Sequence, residues 1–211
     1  MTIYIELYSS KWPGNLAQSF AVMISFEKNG IAVVDDFLTP ERAEMVFGLI
    51  NSDIKWKKMF SHGKGIDYCF SQNEDYEVIK NVLSVSDFIS EIEKITGFEE
   101  FSVPFVFFSK YELGDYLSPH NDNTEDREYG FIYNVTKNAE FEDGGVLHYI
   151  NDKGKYDPIL PKFNRLVMFK VEDSGMHYVT KIEKESYKRI ALTGWINTKK
   201  FDKRKKKKTL I

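Results

Sequence analysis

The sequence predicts an α+β protein, mainly β: a jelly roll (double-stranded β-helix) with N-terminal helices packed on one sheet. Three observations carry that expectation. Six short segments rich in β-branched and aromatic residues follow Gly97 at regular spacing, and helix-periodic segments precede it. Turn clusters such as Glu142-Asp143-Gly144-Gly145 and Asn151-Asp152-Lys153-Gly154 punctuate the strands. The 17 Phe and 12 Tyr among 211 residues also favour strands over a helix bundle.

In chain order, residues 30–38 (GIAVVDDFL) read as a strand running into a loop. Thr39-Pro40-Glu41 then supplies an N-cap, a proline at the first helical position and an early acid. Ala43, Val46, Phe47 and Ile50 follow at helical spacing, predicting an amphipathic helix over 40–51. A loop is expected over about 56–73. Val78, Val82, Val85, Ile89 and Ile92 recur at alternating steps of four and three, which predicts one longer helix from 75 to about 96, ended by Gly97. The six strand segments are PFVFFSKYE, EYGFIYNVT, GVLHYI, RLVMFKV, HYVTKI and KRIALTGWI.

The length suits a single domain, expected over residues 1–198, with a basic, disordered tail at 199–211. That tail (KKFDKRKKKKTLI) holds eight Lys/Arg and one Asp, leaving 21 basic against 31 acidic residues in the body. Blocks of like charge repel and do not fold, so it reads as a solvated terminus; contact with nucleic acid, a ribosome or an acidic surface is the alternative. The single cysteine, Cys69, excludes an internal disulfide framework and reads as a small apolar residue in a reducing compartment. The first 15 residues lack a basic region followed by a long apolar stretch, and no run is long enough to span a membrane. The expected location is cytoplasmic, with no membrane partner.

The chemistry lies in the order of the histidines. His120-Asn121-Asp122 follows Pro119 and a strand, and His177 stands 55 residues after Asp122 at the start of another strand. Two imidazoles and one carboxylate on one face form the facial triad of non-haem Fe(II) oxygenases, which leaves three coordination positions open. A chelating 2-oxo acid takes two of them and O2 the third. A zinc hydrolase would show a closed or His-rich set with a general base nearby. An HxD pair alone arises by chance, and three further features change the weight of this one.

Arg189 lies twelve residues after His177, and its guanidinium offers a bidentate fork for the distal carboxylate of a 2-oxo diacid. A surface salt bridge is the alternative, although an Arg followed by Ile-Ala-Leu is oddly placed for a solvated strand. Arg189, Ala191, Thr193 and Trp195 share one strand face. Tyr111, nine residues before His120, either hydrogen-bonds the cosubstrate or is a core tyrosine. The two glycines of DGGVLHYI permit a tight turn and close backbone approach; Leu147 then faces the pocket while His148 points away. Neither His148 nor His62, in a polar loop, counts as a ligand.

Together YELGDYLSPHND, IYNVTK, DGGVLHYI, RLVMFKVEDSGMH and KRIALTGWI, in that order, resemble the prolyl 4-hydroxylase-like 2-oxoglutarate/Fe(II) oxygenases over about residues 103–197. That group includes the oxygen-sensing and the ribosomal prolyl hydroxylases. GIAVVDDFLTPE resembles the strand and helix that open the domain in that family. The resemblance implies that His120, Asp122 and His177 bind Fe(II). It implies that Arg189 pairs with the distal carboxylate of 2-oxoglutarate, assisted by Tyr111 and Thr193, and that Leu147 and Trp195 wall the pocket. Asn134 stands where many relatives place a tyrosine that shares this carboxylate.

The implied reaction uses O2, with ascorbate as an accessory reductant, and couples decarboxylation of 2-oxoglutarate to succinate with hydroxylation of substrate carbon. Related halogenases lack the carboxylate ligand, so Asp122 favours hydroxylation. The expected substrate is a prolyl residue of a peptide or protein, or a related amino acid. Its selection is expected from residues 56–73 and 123–128, with Tyr68, Arg127 and Tyr129 as candidates. Two other readings are a non-catalytic metal-binding jelly-roll module and a ribosome- or nucleic-acid-associated protein acting through the tail.

Overall fold

In the computed structural model, the described residues are 28–198, apart from 52–53, 64–65, 99 and 125. The first 15 residues and the tail at 199–211 lie outside them. The elements are β1 (Ile31–Val34), α1 (Pro40–Ile50), β2 (Lys57–Ser61), β3 (Tyr68–Asn73), α2 (Tyr76–Val85), α3 (Phe88–Thr96), β4 (Phe101–Tyr111), β5 (Tyr116–His120), β6 (Tyr129–Asn134), β7 (Leu147–Asn151), β8 (Gly154–Lys155), β9 (Arg165–Lys170), β10 (Met176–Val179) and β11 (Arg189–Thr198). A 3-10 turn, Phe141–Asp143, precedes β7.

The strands form one curled antiparallel sheet in the order β1-β9-β6-β11-β4-β3-β5-β10-β7-β8, with β2 attached to β3. All six strand segments read from the sequence appear in it. β3 pairs with both β4 and β5, so it carries the sheet from its larger half round to the smaller half. The jelly-roll expectation is met.

Residue alternation along each strand divides the core in two. Phe108, Phe131, Tyr133, Leu166, Met168, Leu192 and Ile196 turn outward onto the helices, against Ala43, Val46, Ile79, Val82, Phe88 and Ile92. Their neighbours Tyr111, Ile132, Val167, Phe169 and Ala191 turn inward, facing Leu147, Tyr149 and Val179 of the smaller half. The site described below opens on this inner face.

α1 begins as its sequence dictates: the Thr39 side chain accepts from the Arg42 amide and Pro40 occupies the first turn. The single helix expected from 75 to 96 is instead two, α2 and α3. At the break the Ser86 hydroxyl donates to the Val82 carbonyl at 2.6 Å, and Asp87 takes a left-handed φ of 52°. That turn re-aims the chain so that Phe88 inserts between Phe37 (5.2 Å between ring centroids) and Phe131 (5.5 Å). Ile89, part of the apparent stripe, is left 37% exposed. Packing of one aromatic ring thus overrides the local periodicity.

The expected loop at 56–73 is also corrected, since β2 and β3 form a hairpin. β2 exposes Lys57, Lys58 and Phe60 and has no buried face. Its order derives from backbone pairing carried onward by β3 to β4 and β5.

Candidate active site

Antiparallel register assembles the histidines. His177 of β10 stands directly opposite His120 of β5, and opposed residues on neighbouring antiparallel strands bring their side chains together on one face. The two ring centroids are 4.2 Å apart. Asp122, two residues past the end of β5, returns its carboxylate to the same point. Its Oδ1 lies 3.5 Å from His120 Nε2 and its Oδ2 lies 3.7 Å from His177 Nε2. One ligand atom from each of the three residues lies within 4.8 Å of the others.

The donor set suits a divalent metal in chemical state as well as in geometry. The Ser118 carbonyl, 2.9 Å from His120 Nδ1, can only accept, so Nδ1 carries the proton and Nε2 presents its lone pair. Burial pushes the Asp122 carboxyl up, but His120, His177 and Arg127 together outweigh it and hold the group below the usual carboxylate range. Burial pushes the His177 imidazole down to about 4; Asp122 opposes this and His120 adds to it. A neutral His177 imidazole beside an ionised Asp122 carboxylate is the form that ligates.

The His177 shift has a consequence for the apoprotein. In the unfolded chain this imidazole titrates near its ordinary value of about 6.5, so the unfolded state binds more protons between there and about 4. Stability is therefore full above about pH 6.5 and declines as pH falls through that window, by on the order of 3 kcal/mol from this group. Denaturant titrations of metal-free protein across it should show the decline.

Arg189 begins β11 directly opposite Tyr111 of β4, and its guanidinium carbon lies 5.0 Å from that ring's centroid. It is 2% exposed and its Nε is buried without a hydrogen-bond partner. Among the described residues no carboxylate forms an ion pair with it. Arg165 on the same face of the sheet, by contrast, holds Asp35 in a two-pronged pair. A buried cation left without an anion is costly unless a ligand supplies one. The site therefore fits a cosubstrate with a carboxylate at its far end.

The second glycine before β7 makes the space for this arginine. Gly145, with φ of 69°, lies where a Cβ would come within 3.1 Å of Arg189 Cδ and 2.7 Å of Ile182 Cδ1. Gly130 plays the matching part near the triad. The Phe169 ring lies across it, where a Cβ would fall 2.3 Å from Cζ, and that ring packs 4.7 Å from the His177 ring.

Leu147 is buried on the inner face with Tyr111 and Ala191. His148 points outward, stacks on Tyr178 at 4.5 Å and lines a surface pocket with Phe141 and Lys181. His62 is largely exposed beside Asp67. Thr193 shares the inner face, and its hydroxyl lies 3.4 Å from that of Ser109. Asn134 is buried, with Nδ2 donating to the Arg165 carbonyl and Oδ1 unpartnered.

Two residues do more than the sequence indicated. Trp195, expected as a pocket wall, donates its indole N–H to Asp122 Oδ2 at 3.0 Å. Arg127 lies 3.6 Å over the Trp195 ring and reaches Asp122 Oδ1 at 3.5 Å. Asn197 and Glu128 tie the loop bearing Arg127 to β11 through the Glu128 amide, the Asp126 carbonyl and Thr198. Asp122 is thus oriented by a strand and a loop that are fastened together. Trp195→Phe is expected to weaken divalent-metal affinity about 10- to 100-fold with the fold retained, as loss of an outer partner of a metal ligand does. Metal titration by calorimetry, with a thermal melt as control, checks it.

A curled antiparallel jelly roll that brings two histidines and a carboxylate together and carries a buried arginine is the arrangement expected of a non-haem iron oxygenase. The family model described as the 2OG-Fe(II) oxygenase superfamily matches residues 106–197. The chain is 26% identical over 141 residues to prolyl 3-hydroxylase OGFOD1 of Mus musculus, covering 61% of this chain and 26% of that one. It is 33% identical over 101 residues to prolyl 3-hydroxylase sudestada1 of Drosophila melanogaster, covering 42% and 19%. The chain therefore spans about a quarter or less of the length of these curated relatives. In fold it is similar to a Trichoplax adhaerens prolyl hydroxylase solved with a hypoxia inducible factor peptide, at a TM-score of 0.67 and 22% identity, covering 89% and 92%. Residues 106–197 thus match the 2-oxoglutarate/Fe(II) oxygenase family, and the chain is similar to prolyl hydroxylases in sequence and in fold.

Proposed function

We propose that the protein is an Fe(II)- and 2-oxoglutarate-dependent dioxygenase that hydroxylates a prolyl residue of a peptide or protein. The observation that carries this is the pairing of the His120–Asp122–His177 cluster with a buried arginine that has no carboxylate partner. The curated relatives are named as prolyl 3-hydroxylases, and the Trichoplax structure holds a peptide, which supports a polypeptide substrate.

An Fe(II) ion held by His120, Asp122 and His177 would supply chelation of the 2-oxo acid and activation of O2. The chain itself supplies position and dryness. Arg189 fixes the far carboxylate of 2-oxoglutarate, so its 2-oxo acid end meets the three ligands in one orientation. Tyr111 and Leu147 close the apolar sides of that slot and exclude water. Trp195 and Arg127 hold Asp122, which keeps the coordination face directed at the opening. Trp195 stacks on Phe105 (5.8 Å), itself 42% exposed, and this aromatic surface suits the apolar ring of a prolyl residue.

Turnover on prolyl peptides, read as succinate formation together with a mass gain of one oxygen atom, tests the proposal. Chromatography of the hydrolysed product against hydroxyproline isomers then identifies the carbon. Protein that forms no succinate with Fe(II), 2-oxoglutarate and O2, with or without peptide, would contradict it.

A further inference from the structure

We infer that Tyr187 is a second anchor for the distal carboxylate of the cosubstrate, its phenol donating beside the Arg189 guanidinium. The inference rests on the 2-oxoglutarate reading above. Tyr187 lies two residues before Arg189, just ahead of β11, and is 6% exposed. Its ring belongs to the apolar cluster that holds Tyr111, Leu147, Ile182 and Ala191. Ile182 and the Arg189 stem meet at Gly145, which sets that stem against the same cluster.

Among the described residues, the Tyr187 hydroxyl and Arg189 Nε are both buried without a hydrogen-bond partner. The two groups are close enough to interact electrostatically, and two buried donors without partners are unfavourable unless an anion with two acceptor oxygens satisfies them together. Asn134 is less suited to that role. One N–H of its amide goes to the Arg165 carbonyl, and its unpartnered atom is the carbonyl oxygen, an acceptor, whereas a carboxylate requires donors. Nor does Asp143 satisfy the phenol. Its carboxylate is engaged by Lys184 at 2.8 Å and by the Glu140 amide at 3.1 Å. Burial raises the Tyr187 phenol to about 12, with Arg189 opposing, so the hydroxyl keeps its proton at neutral pH.

The test compares two ligands on Mn(II)-loaded protein by calorimetry without O2. 2-Oxoglutarate carries the distal carboxylate, whereas 2-oxobutyrate has the same chelating head and lacks it. Tyr187→Phe should bind 2-oxoglutarate about 10- to 100-fold more weakly and 2-oxobutyrate as wild type does. Unchanged 2-oxobutyrate binding also shows that the variant is folded. Equal loss for both ligands would make Tyr187 a packing residue, and loss for neither would make it irrelevant; each overturns the inference. Wild-type protein with no preference for 2-oxoglutarate would instead remove the cosubstrate reading itself.

Discussion

Replacing His177 by alanine is expected to abolish turnover and to weaken divalent-metal binding by more than about 100-fold. The figure exceeds the 10- to 100-fold typical of losing an outer partner because a ligand atom is removed outright. His177 is 5% exposed and packed against Phe169, so the alanine also leaves a small void. Removing the buried imidazole simultaneously removes its titration. The variant should therefore lose much of the stability decline that wild-type apoprotein shows between about pH 6.5 and 4. Metal calorimetry and denaturant titrations on the same preparations read the two effects separately.

Arg189→Met separates stability from function in opposite directions. The guanidinium is buried without a carboxylate in the ligand-free protein, and methionine has similar length without the charge. Replacing an uncompensated buried charge by an apolar side chain is favourable, so the apoprotein should gain on the order of 1 kcal/mol or more. The same change removes the cation that a distal carboxylate needs. KM for 2-oxoglutarate should rise roughly 100-fold or more, in line with the 2–5 kcal/mol lost when one partner of a buried charge pair is deleted. Arg189→Lys keeps the charge but not the fork and should fall between the two. A thermal melt of apoprotein and a 2-oxoglutarate saturation curve measure both arms. An Arg189→Met protein with unchanged KM would show that this arginine holds nothing of the cosubstrate.

The sequence made the strands and the metal cluster readable because both depend on local chemistry. Short aromatic and β-branched runs between turn clusters specify strands wherever they pair, and an HxD step with a distant His needs no tertiary knowledge to be noticed. Arg189 was readable because a charge followed directly by Ile-Ala-Leu is oddly placed for a solvated strand. The parts that escaped are those set by neighbours distant in sequence. Phe88 leaves the helical stripe for a hole made by Phe37 and Phe131, which no local period encodes. β2 carries Lys57-Lys58 and an exposed Phe60, so its pairing with β3 had no apolar alternation to announce it.

Trp195 and Arg127 were noticed individually, but their shared hold on Asp122 depends on two segments about 70 residues apart being stapled together through Asn197 and Glu128. Tyr187 sits in a polar stretch, Lys-Glu-Ser-Tyr-Lys-Arg, that reads as a turn. Tyr187 lies ahead of the strand that Arg189 begins, so strand alternation did not announce it.

The most direct measurement is an anaerobic titration of the apoprotein with Fe(II) and 2-oxoglutarate, followed in the visible spectrum. Chelation of the 2-oxo acid by iron at His120, Asp122 and His177 should give a weak charge-transfer band that appears only with both components and disappears in His177→Ala. A wild-type protein without the band, or a His177→Ala protein that retains it, would contradict the assignment.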